Sequence, residues 1–343
     1  MSLTKAISNR FALLGFVSAC CVVFLHMGVP TVEHSSGWWL HEISQVLCWF
    51  AVPFFFLASG FFIAGHLGEK DWYGREVQKR VRSILIPFFI WGVLYWLYFL
   101  AMSIVGDIMQ YRPIGDHCSY LFTPGTLVGV FGLDLFHPPF YSVTWFLRAL
   151  FFLVLLTPVL ERITRKRAWC VVVALYTANL YLKICPGHLG QFSGLFSSVL
   201  PLEGAAWFSL GLAIRLERIK LPGVGKPIII VVISLLAAAV LAVMSACFGC
   251  RSVFMSLAAP SLILGLWSLL SYTPPLPSLP SPFALYLLHT FFLSGFSIFV
   301  NGTTDMCCWM LVRVVFAIIG SILLAMGLRA VLPRVSAFLF GGR

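Results

Sequence analysis

The sequence predicts an all-α integral membrane protein of about ten transmembrane helices, and three observations predict it. Of 343 residues, 60% are hydrophobic and only 10% are charged. The apolar residues gather in runs close to the ~20 residues that cross a bilayer. The basic residues fall in alternate gaps between those runs. A soluble domain carries about 25% charged residues, so this chain cannot coat a water-facing surface. The composition excludes a cytosolic globular enzyme, a disordered chain and a nucleic-acid-binding protein.

The runs are residues 11–29, 43–65, 84–105, 142–160, 168–184, 197–214, 227–247, 253–271, 282–300 and 308–331. The first follows Lys5 and Arg10 and ends without the small-residue cleavage site of a signal peptide, so it reads as a retained helix. Between runs two and three lie Lys70, Arg75, Lys79, Arg80 and Arg82. Arg162, Arg165, Lys166 and Arg167 separate runs four and five, and Arg215, Arg218, Lys220 and Lys226 separate six and seven. Arg329, Arg334 and Arg343 lie at the far end. The opposite loops hold Arg112, Lys183 and Arg251 among Glu33, Glu42, Asp107, Asp116, Asp134 and Asp305. Basic residues mark the cytoplasmic side. Both termini are therefore expected in the cytoplasm, and the net charge of +11 reads as topology.

The whole of 1–343 reads as one polytopic domain with no separate soluble domain. Its longest polar stretch, 106–141, is rich in proline and glycine, and its middle, 127–136, is apolar enough to dip into the membrane surface. Loops of this length are usually functional or disordered. The uncharged, proline-rich link at 272–282 reads as a stiff extended connector. The ten cysteines, including Cys247-Phe-Gly-Cys250 and the Cys307-Cys308 pair, read as small apolar residues in preference to a metal site.

Ionisable groups inside spans are costly and mark sites by default. Here they are His26, Arg148, Glu203, His289 and Arg313. His26, near the outer end of run one, suits a general base, because a neutral imidazole accepts a proton near pH 7; the alternative is an interfacial anchor. Glu203, Glu42, Glu33 or Asp134 could orient its ring. Arg148 and Glu203 read either as catalytic groups or as a buried ion pair. Arg313 and His289 read first as structural. No phosphate-binding glycine loop, zinc-protease motif or serine-hydrolase elbow is present.

Five stretches together resemble membrane acyltransferase family 3. They are residues 10–26 (RFALLGFVSACCVVFLH), 53–63 (PFFFLASGFFI), 79–91 (KRVRSILIPFFIW), 145–158 (WFLRALFFLVLLTP) and 284–289 (ALYLLH). The resemblance spans most of the chain, in order. It implies transfer of an acyl group, usually acetyl, from acyl-CoA (acetyl-CoA) to a hydroxyl of a cell-envelope or exported glycan. It also implies a multi-pass protein of the inner (cytoplasmic) membrane. Expected partners are acyl-CoA, a glycan or lipid-linked saccharide acceptor and membrane lipids, with no nucleic acid and no metal. His26 stands at the family's first-helix histidine and is expected to deprotonate the acceptor. The residue eleven before it, an arginine in the family, is Gly15 here. Arg10, Arg80 and Arg82 are then expected to bind the phosphates of the donor. Glu203 would orient His26, and Arg148 would stabilise the oxyanion or place the acceptor; these two roles rest on depth and charge. The rival class is a transporter or flippase for a glycan or anionic substrate, which a polar cluster at one depth would also serve.

Overall fold

The computed structural model describes residues 4–109, 113, 118–192, 195–196, 199–219, 227–272, 280–299 and 305–342. Most of the proline-rich link, residues 112 and 116 of the long loop, and Lys220, Lys226 and Arg343 lie outside them. The described residues form helices and no strands. Six of the ten predicted runs become helical stretches long and apolar enough to cross a membrane. These are α1 (Lys5–Leu25), α2 with α3 (Ser36–Cys48, Ala51–Ala64), α4 with α5 (Trp72–Arg80, Ile86–Met109), α10 (Pro227–Phe248), α11 (Arg251–Leu269) and α13 (Cys307–Val331). Six such stretches suit a chain that crosses a bilayer several times.

The other four runs take different forms. Runs four and five become α7 (Trp145–Leu155) and α8 (Thr157–Ile184), bent by 68° at their break. Arg167, in the basic run within α8, has non-helical backbone angles. Run nine becomes α12 (Pro282–Phe299), followed in the chain by α13 and the short α14 (Pro333–Leu339). Run six begins only at Leu202 and gives α9 (Leu202–Arg215), 14 residues long. At 1.5 Å per residue it rises about 21 Å, short of a ~30 Å hydrocarbon core.

The short α9 is the centre of the molecule. It is buried on nearly every side, from Glu203 to Ile214. In lipid, helices associate by close packing, because the bilayer is as apolar as their side chains. Glycine permits the closest approach: a Cβ on Gly211 would stand 2.0 Å from the Leu57 carbonyl oxygen, and one on Gly60 would stand 2.1 Å from that of Phe208. The backbones of α3 and α9 thus touch. Phe11 of α1 packs on the same unit, its ring 4.7 Å from that of Phe61 and 5.0 Å from that of Trp267.

The long loop is fastened down. Its helix α6 (Pro124–Val130) precedes a segment whose carbonyls at Gly132, Asp134 and His137 accept from the Arg148 guanidinium at 3.1, 2.6 and 2.9 Å. The Tyr141 hydroxyl donates to the Leu287 carbonyl at 2.6 Å, and Tyr286 donates back to the carbonyl of Val143. These bonds join the loop to α12, the helix that carries His289.

Candidate functional site

A helix ends with carbonyls that lack intrahelical donors. At the end of α1, Gln45 of α2 donates its side-chain amide to the Leu25 carbonyl at 3.0 Å. Arg313 of α13 donates to the Met27 carbonyl and to that of Leu293, both at 3.1 Å. His26, at the helix cap between those two carbonyls, is held from both sides. Its ring is exposed to a cavity of about 620 Å³ at the end of the bundle bearing the α1–α2 loop.

The neighbour of that ring is another histidine. The ring centroids of His26 and His289 lie 5.3 Å apart. His289 is fully buried, and its Nδ1 lies 2.7 Å from the Tyr286 carbonyl and 3.3 Å from that of Leu285. Carbonyl oxygens only accept, so Nδ1 carries the proton. Nε2 is then an acceptor, and it has no partner among the described residues. A ring tied to its own helix through Nδ1 presents Nε2 outward. That unpartnered acceptor belongs to the ring that lies beside His26, although no hydrogen bond joins the two rings among the described residues.

Three of the four acids expected to orient His26 are engaged elsewhere. Glu203, at the start of α9, lines the same cavity but accepts from Lys183 at 2.8 Å and from the Trp49 indole at 3.2 Å. Lys183 also reaches the Ser256 hydroxyl at 2.5 Å and lies over the Trp49 ring. Glu42 binds Arg251 at 2.7 Å. Asp134 takes the Phe136 N–H and the His137 ring, which hold its carboxyl below the usual carboxylate range. Glu203 therefore belongs to the cavity wall, engaged with Lys183 and Trp49, and the ring beside His26 is that of His289. Arg148 is engaged elsewhere too. Its guanidinium faces three loop carbonyls, and it is not among the lining residues of this cavity. It fixes the loop beside the site.

A second cavity, of about 530 Å³, opens from the other end of α1. Phe11 and Gly15 line it, with His66, Lys79 and Arg80 at its polar edge. Nothing stands within 4 Å of a Cβ placed on Gly15, so the missing side chain is open space. Gly15 and His26 are about three helical turns apart and share a face. The two cavities meet at Phe55, Phe146 and Tyr286, which line both.

The three arginines grouped by sequence separate in space. Arg80 is buried at the second cavity and paired with Glu76 at 2.6 Å. Arg82 is exposed and lines a third, smaller cavity. Residues two apart on a helical backbone point in different directions, and the π-helical turn Val81–Leu85 continues that backbone. Arg10 stacks over Trp267, 5.6 Å from its ring centroid, and lines neither of the two larger cavities. The expected part of Arg10 in donor binding finds no cavity contact among the described residues. Sequence reasoning ranked His289 as a packing residue; the Tyr-x-x-His spacing of Tyr286 and His289 was visible, but the nearness of His289 to His26 was not.

The family scan supplies the remaining observation. The chain matches the acyltransferase 3 family, described as an acyltransferase domain, over residues 13–326. No curated protein and no solved structure matches it significantly. A match over nearly the whole length, running from α1 before Gly15 to α13, covers both histidines, the whole lining of the first cavity and all but Phe11 of the second. The chain belongs to the acyltransferase 3 family, whose members are enzymes that transfer acyl groups.

Proposed function

We propose that this protein is an O-acyltransferase of the cytoplasmic (inner) membrane, with both termini cytoplasmic. It moves an acyl group, acetyl in the first instance, from acyl-CoA to a hydroxyl of a cell-envelope or exported glycan. One observation carries the reading: two cavities enter from opposite ends of the bundle and meet beside His26, at Phe55, Phe146 and Tyr286. One has a basic edge at the end where the basic loops gather, and the other is lined by His26, whose ring neighbours the buried His289.

The second cavity suits acyl-CoA. Lys79 and Arg80 stand at its edge, apolar walls lead inward, and Gly15 leaves room that a side chain would fill. Bound there, acyl-CoA supplies an activated thioester carbonyl and a thiolate leaving group. His26 accepts the proton of the acceptor hydroxyl at the nitrogen facing the first cavity. In the reacting complex His289 receives the hydrogen bond from the other nitrogen and holds the ring in the required tautomer. Gln45 and Arg313 keep the end of α1 from shifting, and so keep His26 in place. The acceptor oxygen adds to the thioester carbonyl, the C–S bond breaks as the ester C–O bond is made, and the departing CoA thiolate takes the proton from the same His26 nitrogen, leaving as the thiol and restoring the neutral base. Trp49, Trp145 and Asn179 line the acceptor cavity, offering flat apolar faces and an amide to a sugar ring.

The test uses purified protein in lipid vesicles with labelled acetyl-CoA and an envelope-glycan extract. Label should pass to glycan with wild type and not with His26→Ala. Glycan carried across the membrane unlabelled would instead establish the transporter reading. Gly15→Arg adds a donor-side check: the space at Gly15 should accept the side chain and tighten donor binding.

A further inference from the structure

The basic run between the fourth and fifth apolar runs has no part in the chemistry above. It lies at the start of α8, between the 68° bend that follows α7 and the non-helical backbone of Arg167. We propose that this half of α8 lies along the bilayer surface on the side of the basic loops and binds an acidic phospholipid. The acyl chains rest on Val159 and Ile163, and the headgroup phosphate sits between Arg162 and Lys166.

The helix has three distinct faces. Thr157 and Thr164 are fully buried and mark the face turned to the protein. Residues four apart stack in one row on a helix. Val159 and Ile163 make an apolar row, 56% and 46% exposed, and Leu156 at the bend continues it, 38% exposed. Arg162 and Lys166 make a second row, and both are exposed. Each stands three residues after a member of the apolar row, so the two rows are neighbours. A row of hydrocarbon beside a row of cations fits neither bulk water nor the bilayer interior. It fits the boundary, where chains meet headgroups.

The charge in this segment is left over for a ligand. Its one acid, Glu161, pairs with Arg165, which stands on the side of the basic row away from the apolar one. Among the described residues no carboxylate lies within ion-pair distance of Arg162 or Lys166. A guanidinium matches phosphate oxygens, and an ammonium adds a point charge. Basic residues at a membrane surface draw anionic lipid.

The segment is also held at a fixed level. The Tyr73 hydroxyl of α4 donates to the Leu155 carbonyl at 3.0 Å, filling an acceptor that the end of α7 leaves open. Trp169, just beyond the break at Arg167, is 60% exposed. Tyrosine and tryptophan gather where the hydrocarbon gives way to headgroups, so an aromatic residue marks that level at each end of the segment.

Purified full-length protein in neutral detergent is titrated with phosphatidylglycerol, or with phosphatidylcholine of the same chains, and bound lipid is counted by native mass spectrometry. Wild type should hold phosphatidylglycerol at least about fivefold more tightly than phosphatidylcholine, the scale of one basic residue at an anionic surface. Arg162→Gln and Lys166→Gln should each remove about that factor, and Arg162→Lys, which keeps the charge, should retain it. Arg165→Gln deletes the same charge from the side paired with Glu161 and should leave the preference intact. Val159→Ser combined with Ile163→Ser should weaken both lipids. Thermal unfolding checks that each variant is folded. Equal affinity of wild type for the two lipids would overturn the proposal, as would equal losses from folded Arg162→Gln and Arg165→Gln. Displacement of the lipid by glycerol 3-phosphate would also overturn it, because that ester has no chains for the apolar row. No readout here uses acyl transfer, so this site and the proposed function stand or fall separately.

Discussion

The two large cavities of this protein differ in how they treat charge. In the cavity of His26, the lysine and the carboxylate are paired with each other, Lys183 with Glu203, and the wall is otherwise aromatic and neutral. In the cavity of Gly15, cations outnumber the acids that face them, and they sit at the edge. The first arrangement leaves an imidazole as the group free to exchange a proton. The second leaves a field that attracts an anion and an apolar interior that gives it no reason to move further. Under the proposed function, one compartment would serve proton transfer and the other anion capture, with Phe55, Phe146 and Tyr286 lining both.

The largest expected effect breaks the first compartment. His26→Ala should lower acyl transfer by about 10²–10⁴-fold with normal expression and insertion, the range for losing a general base. Near-normal turnover would make His26 an anchor. Next comes the packing that brings the compartments together. Gly211→Ala drives a methyl into the backbone of α3, and overpacking typically costs about 1–3 kcal/mol, to be read as a lower midpoint of thermal unfolding.

The charge pair sharpens the comparison further. Glu203→Gln leaves Lys183 without its carboxylate. Breaking a fully buried pair costs about 3–5 kcal/mol; with Lys183 still 20% exposed, the lower end is expected. Lys183→Met with Glu203→Gln should recover part of the loss, and an equal loss in the double variant would show that the pair does not act as a unit. His289→Phe should lower kcat, by about tenfold and less than His26→Ala, while leaving the KM for acyl-CoA unchanged, since His289 neighbours His26 and lines neither large cavity. A change confined to donor KM would place the histidine pair in the wrong compartment.

The smallest effect is a pH dependence at the outer loop. Asp305 accepts from the N–H groups of Val32 and Thr31, each at 2.8 Å, and from the Thr31 hydroxyl at 2.7 Å. These donors favour the charged carboxylate and hold its pKa below the ordinary value of 3.8. A depressed folded-state pKa stabilises above the unfolded value and is lost as pH falls through the folded one. Asp305→Asn should therefore loosen the α1–α2 loop at neutral pH, read as faster amide exchange at residues 31 and 32. The difference from wild type should fade below about pH 4.

Much of this was legible in the sequence for a physical reason. Apolar runs and basic gaps report directly on the bilayer, so the helical class and most helix positions could be read. His26 stood out because an imidazole in a span is expensive. What could not be read depends on backbone partners and on distance through space. Arg148 answers to three carbonyls, which every residue carries, so no side chain signals its clamp. His289 meets His26 across a separation of about three-quarters of the chain. Residues 197–214 look like a span by composition; only the contacts at Gly204 and Gly211 show a short central helix. Arg80 and Arg82 look like one cluster in a line of letters, and the helical backbone turns them apart.

The central claim is that donor and acceptor enter from opposite ends and meet at Phe55, Phe146 and Tyr286 beside His26. Sealed inside-out membrane vesicles, loaded with envelope glycan and supplied externally with labelled acetyl-CoA, which does not cross a bilayer, test it most directly. The account predicts label on the enclosed glycan, none on glycan added outside, and none with His26→Ala. Label appearing on external glycan while the enclosed glycan stays unlabelled would contradict it, because both substrates would then be using the same entrance.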